Sequence, residues 1–202
     1  MMDHTKILYF RKCLLLILNS IIKIMKILFS FLLVTLLISA TSTAQVNHAP
    51  AIPEADGYTV IPGAKINPDK KRIYRAIYDA TKAAKDASQL VSALNMAGSE
   101  LNGLAVCKIP LTHAKFVVVF HGAAINAILD DAHYKEKFGV SNPNLNVLAE
   151  LKKSGVKLFV CGQNLLAENI DSKIISPDVM VASDALIVLM TYQNDGYALM
   201  SF

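Results

Sequence analysis

The sequence predicts an α/β fold: a three-layer sandwich built on a mostly parallel five-stranded sheet, with helices on both faces. Three observations carry this. Phe116 to Phe120 (FVVVF) and Val156 to Cys161 (VKLFVC) are short apolar runs of the kind found in central parallel strands, covered on both sides. Each is closed by a glycine turn, His121-Gly122 and Cys161-Gly162. Strand-like and helix-like segments also alternate five times between Arg72 and Phe202.

Arg72 to Tyr78 alternates as a first strand, and a helix is expected from about Ala87 to Asn102. Asp86 would cap its start and Gly103 its end. A loop through Cys107, Pro110 and His113 leads to the 116–120 strand, then a short helix over Ala123 to Leu129. His133 to Val140 is polar and mixed and gives no element. Asn142-Pro143 reads as an N-cap followed by proline at the first helical position, with Leu145, Leu148 and Leu151 as the apolar stripe and Gly155 as the stop. The Cys161 strand follows, then a short helix to about Asn169 and a fourth strand at Asp178 to Ala182. Ser183 is expected to cap a helix burying Leu186, Leu189, Met190 and Gln193, closed by Gly196. Tyr197 to Phe202 forms the fifth strand.

The amino terminus reads differently. Lys23 and Lys26, the apolar run Ile27 to Ala40 and the small residues Ser42-Thr43-Ala44 have the order of a secretory signal. The expectation is that residues 1–44 are a signal peptide and that the mature protein is exported, periplasmic or secreted. Met25-Lys26 is itself an ordinary signal start, so residues 1–24 read as a misassigned upstream extension. The rival reading is an uncleaved anchor that adds Cys13 to Ile22, but Lys23 and Lys26 interrupt that longer run. Residues 45–70, with Pro50, Pro53, Pro62 and Pro68, read as an extended arm ahead of the α/β domain at 71–202.

Charge then excludes a partner class. Residues 1–44 hold Lys6, Arg11, Lys12, Lys23 and Lys26 against Asp3, so subtraction from 20 basic and 16 acidic residues leaves 15 of each. A net charge of zero over 158 residues (202 − 44) gives no basic footprint for nucleic acid. It also leaves little colloidal repulsion against self-association.

The candidate chemistry centres on Cys161, at the carboxyl end of a strand and ahead of a helix start. Ligands of open α/β sheets bind at that edge. Helix-start N–H groups favour a thiolate, so the expectation is an accessible thiol with a pKa below the free value of about 8.5. Packing is the bland alternative. His121, ending the neighbouring strand, could take the thiol proton or hold a thiolate, or could simply bond a backbone carbonyl. Gly122 and Gly162 open the two turns. Gln163 and Asn164 offer amide donors toward whatever the thiol carries, or cap their own helix. Asn126 and Tyr197 are weaker candidates.

No cofactor is implied, and the spacing of His113, His121, His133, Cys107 and Cys161 suits no metal. Cys107 and Cys161 fall at opposite sheet edges, about a strand length apart, too far for a disulfide.

Four segments together resemble the DsrE/DsrF-like sulfur-oxidation family: FVVVFHG at 116–122, Asn142-Pro143-Asn144, GVKLFVCGQN at 155–164 and GYALM at 196–200. The resemblance covers about Arg72 to Phe202. It implies a flavodoxin-like domain, commonly in trimers or hexamers, and a persulfide carried on one cysteine, here Cys161. A sulfur donor or acceptor protein, or a small thiol, would then be the partner. The other reading is a non-catalytic oligomeric subunit in which Cys161 packs. The export signal and the lack of a second thiol near Cys161 favour that one.

Overall fold

The chain divides into a unit of Met1–Asn47 and a unit of His48–Phe202, and the fold below is that of the second. The computed structural model describes residues 22–23, 25–26 and 50–202. The expected signal core, its cleavage site and the first residues of the arm lie outside the described residues.

Five strands form one sheet: β1 (Tyr74–Ala80), β2 (Ala114–Phe120), β3 (Lys157–Cys161), β4 (Met180–Ala182) and β5 (Ala198–Ser201). Their order is β4-β3-β2-β1-β5, and every neighbouring pair is parallel. The helices are α1 (Ser92–Val106), α2 (Asp131–Phe138), α3 (Leu145–Lys153), α4 (Gly162–Ala167) and α5 (Ala185–Asn194). A 3-10 segment, Gly122–Ile128, follows β2. The α/β class and the three layers are as the alternation predicts.

Topology decides which face each helix covers. From β1 to β4 the chain steps in one direction across the sheet, so right-handed crossovers put the intervening helices on one face. The return from β4 to β5 runs the other way and puts α5 on the opposite face. The buried side chains divide accordingly. Ala76, Tyr78, Val118, Phe120, Leu158 and Val160 pack with Leu94 and Leu101 of α1 and Leu148 and Leu151 of α3. Ile77, Val117, Val119 and Cys161 pack with Ala185, Val188 and Leu189 of α5. Burying one such leucine is worth about 1.5–3 kcal/mol, so the first face holds most of the apolar stabilisation.

Several boundaries differ from expectation, each for a local reason. Helix α1 starts at Ser92 rather than Ala87. Its N-cap Val91 has no side-chain cap of its own, and the Val91 N–H donates instead to Asn144 Oδ1 at 3.0 Å. Asp86 accepts from Ser88 in a turn ahead of the helix, 2.8 Å from its N–H. Gly103 lies inside α1 rather than past its end, and its lack of a side chain is explained by the Tyr58 ring, 2.8 Å from where a Cβ would stand. The polar 133–140 segment is mostly helix α2, capped by Asp130, which accepts from the His133 N–H at 2.8 Å. Only Tyr134 of α2 is buried, so the segment shows almost no apolar periodicity.

The Asn142-Pro143 turn leads into α3 two residues later than expected: Asn144, not Asn142, is the N-cap, and Pro143 lies in the turn ahead of the helix. Asn142 Oδ1 accepts from the Asn144 N–H at 2.9 Å, and Gly155 ends the helix at φ 90°. Helix α5 is capped by Asp184 rather than Ser183, through the Leu186 N–H at 2.8 Å. It turns Ala185, Val188 and Leu189 inward and leaves Leu186, Ile187 and Met190 exposed. A helix apolar on nearly every side has no single face for periodicity to pick.

The arm is partly ordered onto the domain. Ile52 is fully buried, and its N–H donates to Asn102 Oδ1 at 2.8 Å. Asn102 Nδ2 returns bonds to the Ile52 and Asp56 carbonyls at 3.0 and 3.1 Å. Gly98 makes room, since a Cβ there would lie 2.5 Å from Ala55 Cβ.

Candidate functional site

The carboxyl edge of the sheet collects the predicted residues. Cys161 is the last residue of β3 and the N-cap of α4, and it is 4 % exposed. Strand alternation turns Phe159 and Cys161 toward α5, while Leu158 and Val160 face the other core. The thiol therefore packs among Val119, Ala185 and Leu189. This corrects the expectation of an accessible thiol: the edge position is right, but α5 covers it. Cys107, at the C-cap of α1, is half-buried, and both cysteines are free.

His121 follows β2 directly, as Cys161 follows Val160 of β3. Phe120 pairs with Val160, so His121 and Cys161 stand one position further on along adjacent strands. Alternation places both on the α5 side, in line with Val117, Val119 and Phe159. The His121 ring does not bond a backbone carbonyl. Its Nε2 lies 2.6 Å from Asp79 Oδ1, with side-chain exposures of 21 % and 18 %. Asp79 sits on the same face of β1, opposite Val119. The edge thus presents Asp79, His121 and Cys161 on three successive strands. Among the described residues no hydrogen bond joins the thiol to His121.

Asp79 is missed by the sequence reading, because the expected first strand stops at Tyr78, two residues short of its end at Ala80. The available signal was alternation itself: in Ile77-Tyr78-Asp79 a carboxylate falls where an apolar residue is expected.

Both glycines are required by close backbone approach. Gly122 has φ 54°, and a Cβ on it would lie 3.1 Å from the Thr81 carbonyl oxygen. A Cβ on Gly162 would lie 2.7 Å from the Ala182 carbonyl oxygen. The Cys-Gly step thus lets the β3 turn press against the end of β4. Asn164 ties the two turns together, its Oδ1 accepting from the Gly122 N–H at 3.1 Å. Gln163 Nε2 reaches the Ser183 carbonyl at 3.4 Å. Neither amide donates toward the thiol and neither caps α4, which corrects both roles expected of them.

An open depression of about 470 Å³ lies beside Gly162 and Gln163, between α4 and the end of β4, with Leu166, Asp171 and Ser183 on its walls. Cys161 and His121 do not line it. Among the described residues no three His, Cys, Asp or Glu side chains stand close enough to hold a metal ion.

Two solved structures are similar over 64 % of this chain and 99 % of their own. One is MTH1491 of Methanobacterium thermoautotrophicum, described as a protein of unknown function, at 20 % identity and TM-score 0.47. The other is the ychN protein of E. coli, at 15 % identity and TM-score 0.44. No curated protein matches the chain. The profile of the DsrE/DsrF-like family matches residues 73–202, from the start of β1 to the last residue. That span takes in all five strands, the paired glycine turns and Cys161, and it supports a function related to sulfur relay in general terms. The chain belongs to the DsrE/DsrF-like family.

Proposed function

We propose that this protein is a sulfur carrier that holds sulfane sulfur on Cys161. The carrying observation is the alignment of Asp79, His121 and Cys161 on three adjacent strand ends, on one face, at the carboxyl edge. The Cys161 thiolate attacks the outer sulfur of a donor persulfide R–S–SH. A Cys161–S–SH bond forms, the donor S–S bond breaks, and the donor leaves as R–SH with the proton that Cys161 gives up. The sulfane sulfur keeps its oxidation level, so no external oxidant or reductant enters. Asp79 fixes His121 through Nε2, which leaves Nδ1 as the ring atom free to pass that proton. Return of the sulfur to a partner thiol is the same exchange in reverse.

Burial of Cys161 under α5 favours a second reading, in which the cysteine only packs and the protein is a binding or assembly subunit. The sulfur-carrier reading requires α5 or the β3–α4 turn to yield to the donor. Intact mass of the mature protein after exposure to polysulfide separates the two. A gain of one sulfur atom in the parent, absent in Cys161→Ser, is the expected result. No gain in the parent leaves only the packing role.

Two further features belong to the proposal. The basic, apolar and small-residue order of residues 23–44 supports export, and a mature N-terminus near Gln45 is the expected finding by N-terminal sequencing. Recovery of the full-length chain from washed membranes would support the anchor instead. The exposed Leu186, Ile187 and Met190 of α5, with Met180 and Val181 of β4, support a homo-oligomer, a trimer or hexamer as the family resemblance implies. Light scattering at micromolar concentration reads this, and a clean monomer would overturn it.

A further inference from the structure

A second cavity lies on the other face of the sheet, away from Cys161. It has a volume of about 340 Å³, within the range of small-ligand pockets, and opens between α1 and the β1–β5 edge. Topology creates it: β5 is an edge strand, and α1 and α3 cover β1, β2 and β3 rather than β5.

Its walls are aromatic and apolar. Tyr74, Tyr78, Phe116 and Phe202 line it together with Met96. Tyr78 meets Phe116 edge-on, with ring centroids 5.4 Å apart, and stacks on Phe202 at 6.0 Å. The exposed Glu100 supplies a carboxylate at the mouth. Arg75 also borders the rim, but strand alternation points its side chain to the α5 face.

Two polar residues, Tyr78 and Glu100, line this slot. Tyr78 is 2 % exposed, and its hydroxyl has no protein hydrogen-bond partner among the described residues. Burial, and then the negative charge of Glu100, push the Tyr78 hydroxyl above its ordinary range, and Glu100 lines the same cavity. The slot therefore offers π-faces, a hydroxyl oxygen and one carboxylate. That set attracts a ligand with an apolar body and a cationic hydrogen-bond donor.

We propose that this slot is a binding site for a small apolar amine, its ring or chain between Tyr78 and Phe202 and its ammonium toward Glu100. The site is independent of the sulfur-carrier reading, since it uses the opposite face and none of the same residues.

Phenethylamine is the probe and 2-phenylethanol its neutral counterpart, titrated into the mature protein by calorimetry and ligand-observed NMR. Saturable binding of one phenethylamine per chain is expected, with 2-phenylethanol weaker. Glu100→Gln should weaken phenethylamine about tenfold, the size of one charge-assisted hydrogen bond, and leave 2-phenylethanol unchanged. Glu100 is exposed, so this variant keeps the fold. Tyr78→Phe should weaken both probes. Absence of saturable binding overturns the proposal, including when a second copy or the chain's own amino-terminal residues fill the slot. So does a phenethylamine affinity that Glu100→Gln leaves unchanged.

Discussion

The two faces of the sheet are covered unequally. One carries α1, α3, part of α4, the 3-10 segment after β2 and the Ile52–Ala55 arm, all packed into one continuous core. The other carries, among the described residues, α5 alone, whose Ala185, Val188 and Leu189 pack over four buried strand residues, Ile77, Val117, Val119 and Cys161. A single reversal of chain direction between β4 and β5 makes this difference. The thick face holds most of the buried apolar residues, while the thin one has fewer contacts to break, and the sulfur-carrier proposal requires Cys161 to be reached from that side.

The largest expected effect tests the thick face. Leu101→Ala or Leu148→Ala removes a fully buried side chain and should cost about 2–5 kcal/mol in denaturant unfolding. Leu189→Ala under α5 should fall at or below the lower end of that range, because this site is less enclosed and can relax. Equal losses would erase the distinction between the faces.

Next comes the link between α1 and α3. Asn144→Ala leaves the Val91 N–H without its partner and should cost about 1–3 kcal/mol. Gly162→Ala drives a Cβ against the Ala182 carbonyl oxygen and should cost a similar amount, about 1–3 kcal/mol. Its loss should appear as displacement of β4, read from hydrogen exchange of the Val181 and Ala182 amides. Loss of the α5 cap in Asp184→Ala should cost about 0.5–2 kcal/mol.

The smallest effect is a pH dependence. The Asp130 carboxyl is held below the usual carboxylate range, chiefly by the His133 backbone N–H and then by the His133 side chain. A carboxyl depressed on folding adds stability above its unfolded pKa of about 3.9, and that stability is lost as pH falls through the lower folded value. Asp86, lowered by Ser88, acts in the same sense. Acid unfolding of Asp130→Asn should therefore be less steep than that of the parent below about pH 4.

Much of this was legible in the residues, and unevenly so. FVVVF and VKLFVC are central strands because every side chain in them but the exposed Lys157 is apolar enough to face a covered layer, and their glycines mark turns that backbone approach demands. Helix α2 was not legible, since a helix that buries one tyrosine has nearly the polarity of a loop. The face of α5 was not legible either, because Leu186, Ile187 and Met190 are as apolar as the residues it buries. At the site, sequence placed Cys161, His121, Gly122 and Gly162 at one edge, since strand order follows from short crossovers. It could not pair His121 with Asp79, 42 residues away on the next strand, or place α5 over the thiol. The arm's docking, through Asn102 to a backbone 50 residues earlier, was equally out of reach.

The most direct test of the account compares the two cysteines, one under each face. Native protein would be treated with polysulfide, alkylated and mapped by peptide mass. The account predicts sulfur on Cys161 under α5, at a rate that falls in Asp79→Asn, with Cys107 loaded little or not at all. Sulfur found only on Cys107, or reaching Cys161 only once the protein is unfolded, would contradict it.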